Sequence, residues 1–122
     1  SVDYDKPIYV TEGPIDSMFL PNAIAMAGSD SVNVIESMGI DKSKVVFIYD
    51  NEPRNKDIVR IMEKVIDKGY NICFWPEYIE QKDINDMVLS GMKPEDIKLI
   101  VDNNTYKDLQ AKMRLVVWRK VE

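Results

Sequence analysis

The sequence predicts an α/β domain: a mostly parallel, four-stranded sheet flanked by helices, followed by a C-terminal helical tail. Three observations carry this. Apolar runs of strand length alternate four times with segments of helical period. One run, Val45-Val46-Phe47-Ile48-Tyr49, is continuous, β-branched and aromatic, which suits a strand buried on both faces of a helix-covered sheet. The length of 122 residues fits one domain with one core.

Taken in order, Ile8-Tyr9-Val10-Thr11 is the first buried strand, and it ends at Glu12 and a Gly13-Pro14 turn. Pro14 opens a short helix that runs to Leu20 and is broken by Pro21-Asn22. Ala23 to Ala27 is a second strand of small residues, closed by Gly28. Ser29, Asp30 or Ser31 caps a helix with Val32, Ile35 and Met38 on one face, ended by Gly39. The central strand then runs to Tyr49 and stops at Asp50-Asn51-Glu52. Asp57 to Lys68 is the clearest helix, because Ile58, Val59, Met62, Val65 and Ile66 share one face before Gly69. A fourth strand, Tyr70 to Trp75, ends at Pro76-Glu77. A loop leads to Lys82-Asp83-Ile84-Asn85-Asp86, which opens a helix through Leu89 to Gly91. Right-handed crossovers between the parallel strands follow.

Beyond Met92 no further strand is expected. Pro94-Glu95-Asp96 opens a helix carrying Ile97, Ile100 and Val101, and 102–105 is a break. A last helix, from about Tyr106 to Trp118, places Leu109, Met113, Val116 and Val117 on one stripe beside Lys107, Lys112, Arg114, Arg119 and Lys120. The expected division is an α/β core over residues 1–91 and a helical tail over 92–122. The start at Ser1, directly ahead of a strand, gives the expectation of a domain cut from a longer protein.

Composition narrows the chemistry. A net charge of −5 argues against a domain that grips nucleic acid by itself. With no histidine in the chain, carboxylates are the groups left for acid–base or metal chemistry, and hard cations such as Mg²⁺ or Mn²⁺ suit them. No apolar stretch is long enough for a membrane span and no signal peptide is visible, which with the single Cys73 gives a cytoplasmic expectation. Cys73, Phe47, Tyr70, Trp75 and Trp118 read as core residues.

In a parallel sheet the acids that end the first and third strands, Glu12, Asp50 and Glu52, share an edge. Ligands of open α/β sheets bind beyond that edge. A divalent cation would relieve the mutual repulsion of three such carboxylates. Acids also end strands simply because strand ends reach solvent.

Four stretches carry a resemblance. Ile8 to Asp16, a strand delivering a Glu-Gly turn with an Asp four residues after the Glu, resembles the opening motif of the Toprim domain of topoisomerases and bacterial-type primases. Ala25-Met26-Ala27-Gly28-Ser29 is similar to that family's second strand and glycine turn. Val46 to Glu52 resembles the strand ending in Asp-x-Asp, with Glu52 in place of the second Asp. Lys82-Asp83-Ile84-Asn85-Asp86 resembles a stretch of the primase branch, most like tailed-bacteriophage primases.

The resemblance covers residues 7 to 91. It implies metal at Asp50 and Glu52, with Glu12 as a further ligand or the proton-transfer carboxylate, and Asp16 and Asp83 as supporting acids, Asp83 among the metal ligands. Arg54, Lys56 and Lys82 would meet nucleotide phosphates or the product strand. The implied activity is metal-dependent nucleotidyl transfer from nucleoside triphosphates. It would make an RNA primer on a single-stranded DNA template, weakly or not at all in the isolated domain, with a replicative helicase as partner. Two other readings use the same residues: a Toprim nuclease or topoisomerase fragment, and a receiver-like regulatory domain that holds Mg²⁺ without catalysis.

Overall fold

The computed structural model describes residues 2–120. Ser1 and the last two residues of the expected tail, Val121 and Glu122, lie outside them. The described residues form five strands: β1 (Ile8–Thr11), β2 (Ala23–Ala25), β3 (Val45–Ile48), β4 (Asn71–Cys73) and β5 (Thr105–Tyr106). Six helices accompany them: α1 (Pro14–Ser17), α2 (Ser31–Ser37), α3 (Lys56–Asp67), α4 (Ile84–Leu89), α5 (Pro94–Asn103) and α6 (Asp108–Arg119).

The sheet order is β2-β1-β3-β4-β5. The first four strands are parallel, with Tyr9 opposite Ala23 on one side and Val46 on the other. β5 is antiparallel to β4, pairing Ile72 with Tyr106 and Cys73 with Thr105. This corrects the expectation of four strands. The added strand takes Thr105, the last residue of what reads as a polar break, and Tyr106, where the last helix is expected to begin, and its pairing comes from β4 rather than from any apolar run of its own. The Phe74 amide donates to the Asn104 carbonyl at 2.9 Å and continues the ladder into the turn.

Side-chain alternation along the strands splits the core into two faces. Val10, Val45, Phe47, Ile72 and Phe74 pack under α2, α3 and α6; Tyr9, Val46, Ile48, Cys73 and Trp75 pack under α4 and α5. The face of α3 buries all five residues that its periodicity singled out, each contributing about 1.5–3 kcal/mol of transfer free energy. Asn55 caps it, its side chain accepting from the Asp57 and Ile58 amides, and Gly69 turns the chain out at φ +84°, where a Cβ would be strained. Cys73, Phe47, Tyr70, Trp75 and Trp118 are buried, as expected.

Helix α6 faces the other way from the expected stripe. Leu109, Met113, Val116 and Val117 are exposed, while Ala111, Leu115 and Trp118 are buried. The helix is apolar on two faces, and the sheet takes the one that carries Trp118, whose ring meets Phe74 edge-on at 6.2 Å between centroids. Met38, at the end of α2, is also exposed rather than on the core face. No helix among the described residues is long and apolar enough to cross a membrane.

Candidate metal centre

The strand order reverses between β1 and β3: from β1 the chain moves first to β2 on one side and then to β3 on the other. A crevice opens at the carboxyl ends of two strands where such a reversal occurs. Glu12 follows β1 and Asp50 follows β3, so the topology brings both to that crevice.

Asp16 and Asp83 arrive from helices. Asp83 caps α4, its Oδ1 accepting from the Asp86 amide at 2.8 Å. Asp16 lies in α1, and its Oδ1 accepts from the Asn85 amide at 2.9 Å. The first turn of α4 therefore holds one oxygen of each acid and leaves the second without a protein partner among the described residues. One oxygen each from Asp16, Asp50 and Asp83 falls within 4.8 Å of the others, and all three residues are partly buried. That set does not include Glu12 or Glu52. Glu12 turns toward the strand end, its Oε1 accepting from the Asp50 amide over 3.4 Å. Glu52 is partly buried in the turn after β3, its amide donating to the Asp50 carbonyl at 2.8 Å.

The electrostatics mark Asp50 as the centre. Burial pushes its carboxyl up to about 7, and the negative charges of Glu12, Asp83, Asp16 and Glu52 add to the shift. Asp16 is also raised, chiefly by burial, with the Asn85 amide pulling the other way and Asp83 and Asp86 adding repulsion. Carboxylates that resist ionising together in a half-dry site form a donor set suited to a hard divalent cation.

The expected cations stand differently. Lys82, Arg54 and Lys56 are exposed, and none makes an ion pair among the described residues. Lys82 precedes the α4 cap, Arg54 lies in the turn after Glu52, and Lys56 is the first residue of α3. A cavity of about 230 Å³ opens beside the acids, lined by Gly13, Pro14, Ile15, Asp16, Asp83 and Asn85. A larger cleft, about 680 Å³, lies elsewhere, around Lys42, Lys64 and Lys68. Its lysines are already paired, Lys42 and Lys68 with Glu36 and Lys64 with Asp30, and it contains none of the clustered acids.

Sequence reasoning gave Asp16 a supporting place; the fold puts it in the three-acid set. It also assigned no role to Asn51, whose side-chain Nδ2 donates to the carbonyls of Ile79 at 2.9 Å and Gln81 at 3.2 Å. The only sequence signal for Asn51 was its place between two acids.

No family model matches the chain. It is 39% identical over 120 residues, 96% of its length, to the DNA primase of Enterobacteria phage T4. The chain spans about a third of that relative, 34% of its length. The acid cluster at the reversal point of the sheet thus lies in a primase-related domain.

Proposed function

We propose that this chain is the Toprim catalytic domain of a DNA primase, carrying out metal-dependent nucleotidyl transfer that makes RNA primers on a single-stranded DNA template. The observation that supports it best is the convergence of Asp16, Asp50 and Asp83 within 4.8 Å at the carboxyl edge of the sheet, in a chain related to a phage primase. Asp50 and Asp83 would hold the metal with Asp16, and Glu12 and Glu52 would add charge around them. Bound Mg²⁺ or Mn²⁺ would supply Lewis-acid polarisation of a phosphoryl oxygen and lower the pKa of an attacking hydroxyl.

The chain's own residues then divide the work. The 3′-hydroxyl of the primer attacks the α-phosphate of a nucleoside triphosphate; the new O–P bond forms as the bond to pyrophosphate breaks. Glu12 takes the hydroxyl proton on Oε2, since Oε1 faces the Asp50 amide. Lys82, Arg54 and Lys56 meet the triphosphate or the product strand as free cations. Template would be gripped by a part of the protein other than this acidic domain. A replicative helicase is the proposed partner on the same resemblance.

The receiver-like alternative shares the strand order but calls for a lysine at the end of a later parallel strand. Here β4 runs into Phe74-Trp75-Pro76, and the fifth strand is antiparallel. The test pairs Mn²⁺ titration of this chain with primer synthesis by the full-length protein carrying Asp50→Ala. Loss of both metal uptake and primer synthesis is expected. Primer synthesis that survives Asp50→Ala refutes the catalytic reading, and phosphodiester cleavage without synthesis transfers it to a nuclease.

A further inference from the structure

Asn51 is wired into the loop that delivers Asp83. Its backbone amide donates to the Lys82 carbonyl at 2.6 Å, and its side-chain amide spans the carbonyls of Ile79 and Gln81. Its Oδ1 accepts from the indole Nε1 of Trp118, in α6, at 3.3 Å. These bonds tie the end of β3 to the 79–82 segment on one side and to the last helix on the other. Directly after that segment come Asp83 and the α4 turn whose Asn85 amide holds Asp16. The chain of contacts therefore runs from Trp118 through Asn51 to the two helix-borne acids of the cluster.

We infer that Asn51 is the positioning residue of the acid cluster: it sets Asp83, and through Asn85 also Asp16, at the right distance from Asp50, with Trp118 holding Asn51 in its rotamer. The inference rests on the proposed reading of the cluster as a metal centre. An asparagine is what the geometry asks for, because two carbonyls need donors while the indole needs an acceptor, and an amide supplies both. Aspartate would turn an oxygen toward two carbonyl oxygens, and leucine would leave three partly buried groups unpaired. A consequence is that the last helix belongs to the site: the indole that Asn51 accepts from comes from the expected tail, not from the 1–91 core. Losing a partner that orients a metal ligand from behind typically costs about 10- to 100-fold in metal affinity.

The test measures Mn²⁺ affinity of this chain by the paramagnetic resonance of free Mn²⁺. It compares the wild type with Asn51→Ala, Trp118→Phe and Val32→Ala, the last a destabilising core substitution in α2. Asn51→Ala should weaken binding by about 10- to 100-fold and Trp118→Phe less but in the same direction, with Val32→Ala unchanged. Nitrogen–proton spectra of the chelated protein should show the Asn85 and Asp86 amide signals moved in Asn51→Ala. Binding by Asn51→Ala within about twofold of the wild type overturns the inference, as does an equal loss in Val32→Ala. If Asn51→Ala does not fold, Trp118→Phe carries the comparison alone. Should the wild type take up no Mn²⁺, the metal reading fails, and the positioning role is judged on the Asn85 and Asp86 signals: moved upholds it, unmoved overturns it.

Discussion

Replacing Asp50 by asparagine should stabilise the metal-free protein at neutral pH, and by an amount that grows with pH. The Asp50 carboxyl is raised from 3.8 to about 7 by burial and by the acids around it. The folded state thus binds this proton more tightly than the unfolded chain does. Its contribution to stability is complete below the unfolded pKa and is lost as pH rises through the folded one. At about 1.36 kcal/mol per unit the full shift corresponds to about 4 kcal/mol, which solvent screening of a partly exposed group reduces to about 1–2 kcal/mol. Asparagine at position 50 has no proton to lose. Urea denaturation in the presence of a chelator, at about pH 4 and about pH 8, should therefore show the difference between Asp50→Asn and wild type shifting by about 1–2 kcal/mol in favour of the variant. Adding Mg²⁺ at tenfold its dissociation constant should return about 1.4 kcal/mol to the wild type and nothing to the variant. Parallel stability curves for the two proteins across that pH range, with or without Mg²⁺, would show that Asp50 carries no such proton linkage.

Two further outcomes test the packing. Leu109→Gln and Met113→Gln, on the exposed face of α6, should each change stability by less than about 0.5 kcal/mol, whereas Leu115→Ala on the buried face should cost about 2–5 kcal/mol, both read from urea midpoints. The Cys73 thiol is buried and its pKa raised by burial first and by the Asp102 charge second. It should resist a disulfide-exchange reagent in the native protein and react fully in denaturant, with native labelling as fast as denatured labelling as the contrary result.

The legible parts of this protein are those where one periodicity points one way. From Val45 to Tyr49, through β3 and one residue beyond it, the run is continuously apolar and aromatic, so burial on both faces follows from the sequence alone, and α3 presents a single apolar face. Helix α6 defeats the same reasoning because it has two apolar faces, and the choice between them is made by what lies opposite. Phe74 and the β4 edge accept Trp118 and Leu115, and the stripe with more residues is left to solvent. The strand β5 is illegible for a related reason: two residues carry no periodic signal, and a strand that short exists only because β4 offers it an edge.

The acid site divides along the same line. From the sequence, Glu12 and Asp50 end apolar strand runs, and Asp83 stands where a helix opens. Local chain chemistry determines this much, because strand runs, turns and caps are written in adjacent residues. The distance of Asp16 from Asp50, the inclusion of Asp16 ahead of Glu52, and the link from Trp118 through Asn51 to the 79–82 segment come only from the tertiary structure. Those relations join residues far apart in the chain, such as the 67 positions between Asn51 and Trp118, and they form only once sheet packing has fixed where each helix begins.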